Sequence, residues 1–197
     1  MLFSEAFKLN LPDSDITYYP NFLNPEEADY YFKILLNEIP WQQDDITVFG
    51  KTYAQPRLTA LFADNKKPYS YSNITMQPHG FSSALSEIKK KIEDIENNTF
   101  TTCLANLYRD GQDSNGWHSD NEKELGKNPI IASVSLGQVR PFSLKHKVHK
   151  HLKHKIELQS GSLLVMKGST QQHWLHQIAK TKKIIKPRIN LTYRIIN

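Results

Sequence analysis

Only one cysteine, Cys103, occurs among the 197 residues, so no disulfide can close within the chain and a thiolate zinc centre is excluded. Any metal would have to be held by nitrogen and oxygen. No apolar run approaches the roughly eighteen residues that a membrane span requires, and the opening MLFSEAFKLN lacks the basic, apolar, small-residue order of a secretory signal. The expectation is a soluble, intracellular monomer with no membrane association, cytoplasmic or, in a eukaryote, nuclear. No segment repeats. With 39% hydrophobic and 11% aromatic residues, the chain can bury one full core and is short for two ordinary domains, so a single domain over 1–197 is expected.

Acidic residues are scarce in the second half. Residues 1–98 carry 9 Lys+Arg against 14 Asp+Glu, net −5, whereas residues 99–197 carry 16 against 6, net +10. Such asymmetry suits a polyanion held by one face, nucleic acid being the commonest, although a basic tract can also be a solvated surface. The densest stretch is KHKVHKHLKHK at 145–155, with five Lys and four His.

The first twenty residues read as irregular. YYPNFLNPEEADYYFKILLNEIPW then reads as an approach strand, an Asn24 cap, Pro25 at the first helical position and an amphipathic helix ending near Pro40. Residues 46–75 hold short aromatic and β-branched stretches broken by Gly50, Pro56 and Pro68, which predicts strands and hairpins forming a lid over a substrate. FSSALSEIKKKIEDIEN opens on Ser82 or Ser83 as cap and repeats Leu85, Ile88, Ile92 and Ile95 at helical spacing. From Thr99 onward strands dominate: TTCLANLYRDG, PIIASVSLG, VRPFSLKH, KIELQSGSLLVMKG and RINLTYRII. Helices followed by many strands predict an α+β fold, with helices and lid over 1–98 and a strand-built core over 99–197.

GWHSD sets His118 and Asp120 two residues apart, so on an extended segment both project to one side and can converge on an ion. A lone H-x-D is a weak signal, and a third ligand must come from another strand. His173 and His176 in STQQHWLHQI are the candidates, His176 being favoured. Two imidazoles and a carboxylate on one face are the set that non-haem iron(II) oxygenases use, with three positions left open. Such a site calls for a bidentate cosubstrate with an anchored far end. In RINLTYRII, alternation puts Arg188, Asn190, Thr192 and Arg194 on one face and Ile189, Leu191, Tyr193 and Ile195 on the other. Two inward guanidiniums would be costly without an anion, and a bound dicarboxylate would satisfy both. In TTCLANLYRDG, Asn106 and Tyr108 likewise share a face.

These residues carry a resemblance. NLYRDGQDSNGWHSDNEKELGKNPIIASVSLGQVRPFSLKHK, GSLLVMKGSTQQHWLHQI and PRINLTYRII closely resemble the AlkB family of Fe(II)/2-oxoglutarate-dependent nucleic-acid dealkylating dioxygenases over residues 104–197. The ordered set N-x-Y, G-x-D, H-x-D-x-E, IASVSLG, GSLL, H-x-x-H and R-x-N-x-T-x-R is far more specific than any one member. VFGKTYAQPRLTALFAD and YSYSNI are more weakly similar to the segment preceding the core in animal members.

The resemblance implies a double-stranded β-helix, or jelly roll, buttressed by N-terminal helices. It implies that His118, Asp120 and His176 bind Fe(II), that Asn106, Tyr108, Arg188, Asn190, Thr192 and Arg194 bind 2-oxoglutarate, and that dioxygen is the co-reactant. Glu122 matches the acid contacting the exocyclic amine of a flipped base, and Tyr71 the aromatic stacked on that base. Tyr69 and Arg57 would line the same pocket, and Phe49 resembles a wedge filling the vacated stack. The implied activity is oxidative demethylation of N1-methyladenine- and N3-methylcytosine-type lesions, on DNA first and RNA as an alternative. A protein or small-molecule hydroxylase of the same superfamily is the further alternative.

Overall fold

Residues 5–48, 50–65, 69–71 and 74–196 are described by the structure, a computed structural model. In chain order the elements are β1 (Phe7–Lys8), β2 (Asp15–Tyr19), α1 (Pro25–Glu38), β3 (Asp45–Val48), β4 (Lys51–Ala54), β5 (Leu58–Ala63), β6 (Tyr69–Tyr71), β7 (Ile74–Met76) and α2 (Ser83–Glu96). Then follow β8 (Thr102–Tyr108), β9 (Asn115–His118), a single 3-10 turn (Lys123–Leu125), β10 (Ile131–Gly137), β11 (Arg140–His146), β12 (Lys153–Leu158), β13 (Ser162–Lys167), α3 (Thr170–His173), β14 (Trp174–Ile178) and β15 (Arg188–Arg194).

Both long helices start where their caps dictate. Asn24 Oδ1 accepts from the Glu27 backbone N–H and Glu27 Oε2 accepts from that of Asn24, each at 2.9 Å, so two otherwise unpaired helix donors are satisfied reciprocally. Ser82 Oγ accepts from Leu85 N–H at the start of α2, and Asn97 closes its end in the left-handed region at φ 51°. One face of each helix is buried: Ala28, Tyr31 and Leu35 on α1, and Ala84, Leu85, Ile88 and Ile92 on α2.

Seven antiparallel strands form the major sheet, in the order β1-β2-β13-β10-β15-β8-β5, and four form the minor sheet, β12-β11-β14-β9. The two sheets face each other as a jelly roll. Hairpins β3-β4 and β6-β7 stand apart as two-stranded pieces. β15 is buried at every position because both its faces are covered: Ile189, Leu191 and Tyr193 join Leu85, Ile88, Val134 and Leu35 in the helix-side core. Antiparallel sheets commonly leave one face to water; here the helices take it. At Gly137, φ is +82° and an added Cβ would sit 2.6 Å from the Phe32 ring, so a residue without a side chain lets α1 close on the sheet beside Arg188.

Two expectations need correction. The first twenty residues are not irregular, since β2 pairs with β13 through Tyr18↔Leu164 and buries Ile16 and Tyr18 between the sheets. Five residues alternating in DITYY are too few to stand out locally; a partner strand 148 positions later, with Val165 opposite Thr17, completes them. The division at residue 98 is also crossed, because β2 and β5 are strands of the major sheet.

Candidate metal and cosubstrate pocket

Strand register assembles the pocket. His118 on β9 lies directly across from His176 on β14, with ring centroids 4.3 Å apart at 65°. Asp120 follows two residues past His118, and its backbone N–H donates to Gln171 Oε1 at 2.9 Å, which fixes the turn. One ligand atom from each of His118, Asp120 and His176 lies within 4.8 Å of the others. His173, the other candidate, is turned away by α3, which ends at that residue before β14 begins.

Tautomer and charge suit a cation. His118 Nδ1 lies 2.7 Å from the Gly116 carbonyl, which can only accept, so Nδ1 carries the ring proton and Nε2 keeps its lone pair, which here accepts from the Asn115 side-chain amide Nδ2 at 3.2 Å. That Nε2 is 3.7 Å from Asp120 Oδ1. Burial lowers the pKa of His176 to about 3 and also lowers that of His118, so both rings are neutral at neutral pH, the form that can coordinate a metal. For Asp120, burial alone would raise the carboxyl pKa, but Arg194 and the two imidazoles overcome it and hold the group below its usual range. Arg194 donates to Asp120 Oδ2 at 2.9 Å, whereas Oδ1 is buried with no partner. A buried carboxylate oxygen left bare is costly, and a metal ion at that oxygen would relieve the cost.

The major sheet supplies the opposite wall. Across β8-β15-β10, register aligns Asn106, Asn190 and Ser135, with Tyr108 opposite Arg188 on one side and Leu104, Thr192 and Ser133 in line on the other. Asn190 Nδ2 donates to Ser133 Oγ at 2.8 Å, and Thr192 Oγ1 to Asn190 Oδ1 at 3.1 Å. Arg188 is 1% exposed, donates from Nη2 to Ser135 Oγ at 2.9 Å and lies over the Tyr108 ring at 5.2 Å. Its Nε and Nη1 have no partner. Burial lowers its pKa to about 10, still well above neutral, so a charged guanidinium points two unanswered donors into the pocket. A carboxylate matches that fork. Arg188 thus holds the two unanswered donors, while Arg194, in the same pocket wall, gives Nε and Nη2 to Asp120 Oδ2.

The expected base-recognition residues fall unevenly. Glu122 Oε2 is buried and unpaired, an acceptor awaiting a donor. Arg57 is 4% exposed and donates from Nε to Asn106 Oδ1 at 2.9 Å, which orients that amide. Phe49 lies outside the described residues, as do the side chains of Tyr69 and Tyr71, whose strand β6 pairs with β7. Sequence reading missed Gln171, Phe142, whose ring stacks on His176 at 5.1 Å, and Ser133 and Ser135. The alternation in IASVSLG marks the two serines; nothing local marks the others.

A second grouping, Asp13, His146 and His173, also brings ligand atoms within 4.8 Å. His146 Nδ1, however, accepts from the backbone N–H groups of Val148 and His149 at 3.2 and 3.0 Å. The ring proton therefore sits on Nε2, which lies 3.3 Å from Asp13 Oδ2 and offers no lone pair.

Comparison with known proteins agrees with this geometry. The sequence model of the 2OG-Fe(II) oxygenase superfamily matches residues 15–194. Alpha-ketoglutarate-dependent dioxygenase alkB homolog 3 of Homo sapiens is 40% identical over 192 residues, covering 93% of this chain and 66% of the relative. DNA oxidative demethylase ALKBH2 is 35% identical in Homo sapiens, covering 86% of this chain and 69% of the relative. The Arabidopsis thaliana ALKBH2 is 35% identical too, covering 93% and 67%. The chain thus spans 66% of the length of alkB homolog 3, just under two thirds. The solved structure of OsALKBH1 shares the fold at TM-score 0.68 and 17% identity, covering 97% of this chain and 100% of that one.

Proposed function

Because the chain belongs to the 2OG-Fe(II) oxygenase superfamily and, within it, to the AlkB family, we propose that it is a Fe(II)- and 2-oxoglutarate-dependent dioxygenase that demethylates N1-methyladenine- and N3-methylcytosine-type bases in DNA. One observation carries the reading: a single pocket contains a bare carboxylate oxygen on Asp120 beside two neutral imidazoles, and two bare donors on Arg188. The first set fits a metal ion and the second fits the far carboxylate of a dicarboxylic acid.

His118, Asp120 and His176 would hold the iron. Arg188 would hold the far carboxylate of 2-oxoglutarate, with Asn106, Tyr108, Asn190, Thr192 and Arg194 lining its length, Arg194 also steadying Asp120 at the metal end. When bound, iron and 2-oxoglutarate activate dioxygen to hydroxylate the N-methyl group, and the resulting hemiaminal loses formaldehyde to restore the base. The residues of the chain contribute position. The Gly116 carbonyl and Gln171 fix the orientation of His118 and the turn at Asp120, and Phe142 packs against His176.

A base within a duplex cannot reach a pocket between two sheets, so the target is flipped out or already single-stranded. A lesion that cannot pair lowers that cost. It also carries positive charge, which favours an approach to Glu122 and stacking on Tyr71, with Tyr69 in the same pocket and Phe49 as wedge; these aromatic roles rest on the resemblance. The +10 charge of residues 99–197 favours a polyanionic substrate. The test is succinate and formaldehyde release with iron, ascorbate and 2-oxoglutarate across methylated DNA and RNA oligonucleotides. Both products should appear in equal amounts with methylated DNA. Succinate without formaldehyde on every nucleic acid would contradict the assigned substrate.

A further inference from the structure

The minor sheet carries a face that the pocket does not use. Along β11, Phe142 and Leu144 turn inward to the core between the sheets, while Ser143 and Lys145 are only half-buried on the other side. Opposite them on β12 stand Lys155 and Lys153, in the pairs Ser143↔Lys155 and Lys145↔Lys153, both exposed. On β9, alternation sends Trp117 to this outer face as His118 turns inward. Trp117 is 38% exposed, and Lys145 Nζ lies 4.2 Å over its ring. The side chains enclose a shallow hollow lined by Trp117, Ser143, Leu144, Lys153, His154 and Lys155, with Glu157 at its border 3.7 Å from Lys155 Nζ in an exposed pair.

Lys145 lies over the partly exposed indole, and Lys153 and Lys155 line the same hollow, so a flat ring stands beside a group of ammonium charges. Their chemistry asks for a flat ring and an anion together. An acidic peptide would answer the lysines and leave the indole unused; a nucleotide with an unpaired base answers both. Position adds to this. Among the described residues β9 is the last strand of its sheet, so a chain lying on the outer face can round that edge and enter the pocket at His118, the next residue along.

We propose that this hollow is a subsite for a nucleotide flanking the target in a single strand, its base on Trp117 and its phosphates on Lys145, Lys153 and Lys155. The proposal rests on the reading of the substrate as nucleic acid. It makes the protein favour single strands, since a paired neighbour has no free face to offer Trp117.

The test measures anisotropy of a labelled, unmethylated oligothymidylate of roughly fifteen nucleotides, within the span of single-strand sites, and of the same length as duplex, with the full chain loaded with iron and 2-oxoglutarate without oxygen. Trp117→Ala should weaken single-strand binding about tenfold, as loss of one stacked base does, and leave duplex binding unchanged. Trp117→Phe should recover most of it. Lys153→Glu with Lys155→Glu should weaken binding and flatten its salt dependence; this pair and the phenylalanine variant keep the test decisive should the alanine variant melt early. Equal single-strand affinity in wild type and Trp117→Ala, or an equal loss on duplex, overturns the subsite. If the wild type demethylates oligonucleotides and Trp117→Ala binds them as tightly, the subsite alone fails. A wild type that neither binds nor demethylates any oligonucleotide overturns the substrate reading and the subsite with it.

Discussion

Two groups of side chains in this protein hold the same donors, two imidazoles and a carboxylate, with one ligand atom from each residue within 4.8 Å. At His118, Asp120 and His176 a backbone carbonyl takes the Nδ1 proton of His118, so Nε2 keeps its lone pair and meets the side-chain amide of Asn115 rather than the backbone. At His146, backbone N–H groups take the Nδ1 lone pair and leave a proton facing Asp13. Asp120 is 2% exposed and Asp13 48%. Proximity of donors does not make a metal site; the hydrogen bond on the far side of each ring decides whether the near side can coordinate.

The comparison breaks most readily at its carboxylates. Asp120→Ala should abolish turnover and cost about 3–5 kcal/mol in denaturant unfolding, because it breaks the buried ion pair with Arg194. Asp13→Ala should change stability by no more than about 1 kcal/mol, as its side chain is half exposed, and leave turnover intact. Next comes Arg188→Met, which should raise the KM for 2-oxoglutarate roughly a hundredfold in initial-rate assays, the cost of a lost buried charge contact. The same change removes an unpaired buried charge, so the ligand-free protein should melt no earlier than wild type. A destabilised Arg188→Met would mean that its donors are already answered.

Smaller effects sharpen the histidines. His146→Ala strips two backbone donors of their acceptor and should cost about 1–3 kcal/mol in chemical denaturation, with kcat unchanged. For pH, burial depresses His176 to about 3 in the folded chain from its ordinary 6.5. The unfolded chain therefore takes up the proton first, and stability of the metal-free protein should be full above about 6.5 and decline as pH falls toward 3. His176→Gln should flatten the part of that decline nearest neutrality in melting curves. Asp120, depressed as well, gives the same sign at lower pH.

Much of the pocket was legible because alternation is a local property. RINLTYRII shows its two faces in nine letters, and β15 follows them from Arg188 to Arg194, the polar set lining the pocket and the apolar set in the core. Asn24 with Glu27, and Ser82 with Leu85, announce their helices equally plainly. What stayed hidden was set by distant partners. Arg194 meets Asp120 across 74 positions, and Arg57 meets Asn106 across 49, so the role of Arg57 in orienting that amide left no local trace. The choice between His173 and His176 turned on one helical turn, α3, too short to leave a periodicity. β2 and β9, of five and four residues, take their register from partners rather than from pattern.

The most direct test is calorimetric titration with Fe(II) under anaerobic conditions, on wild type, Asp120→Ala and His173→Ala. Wild type and His173→Ala should each bind one ion with the same affinity, and Asp120→Ala should bind none. An ion retained by Asp120→Ala, or lost from His173→Ala, would contradict the assignment of the metal to His118, Asp120 and His176.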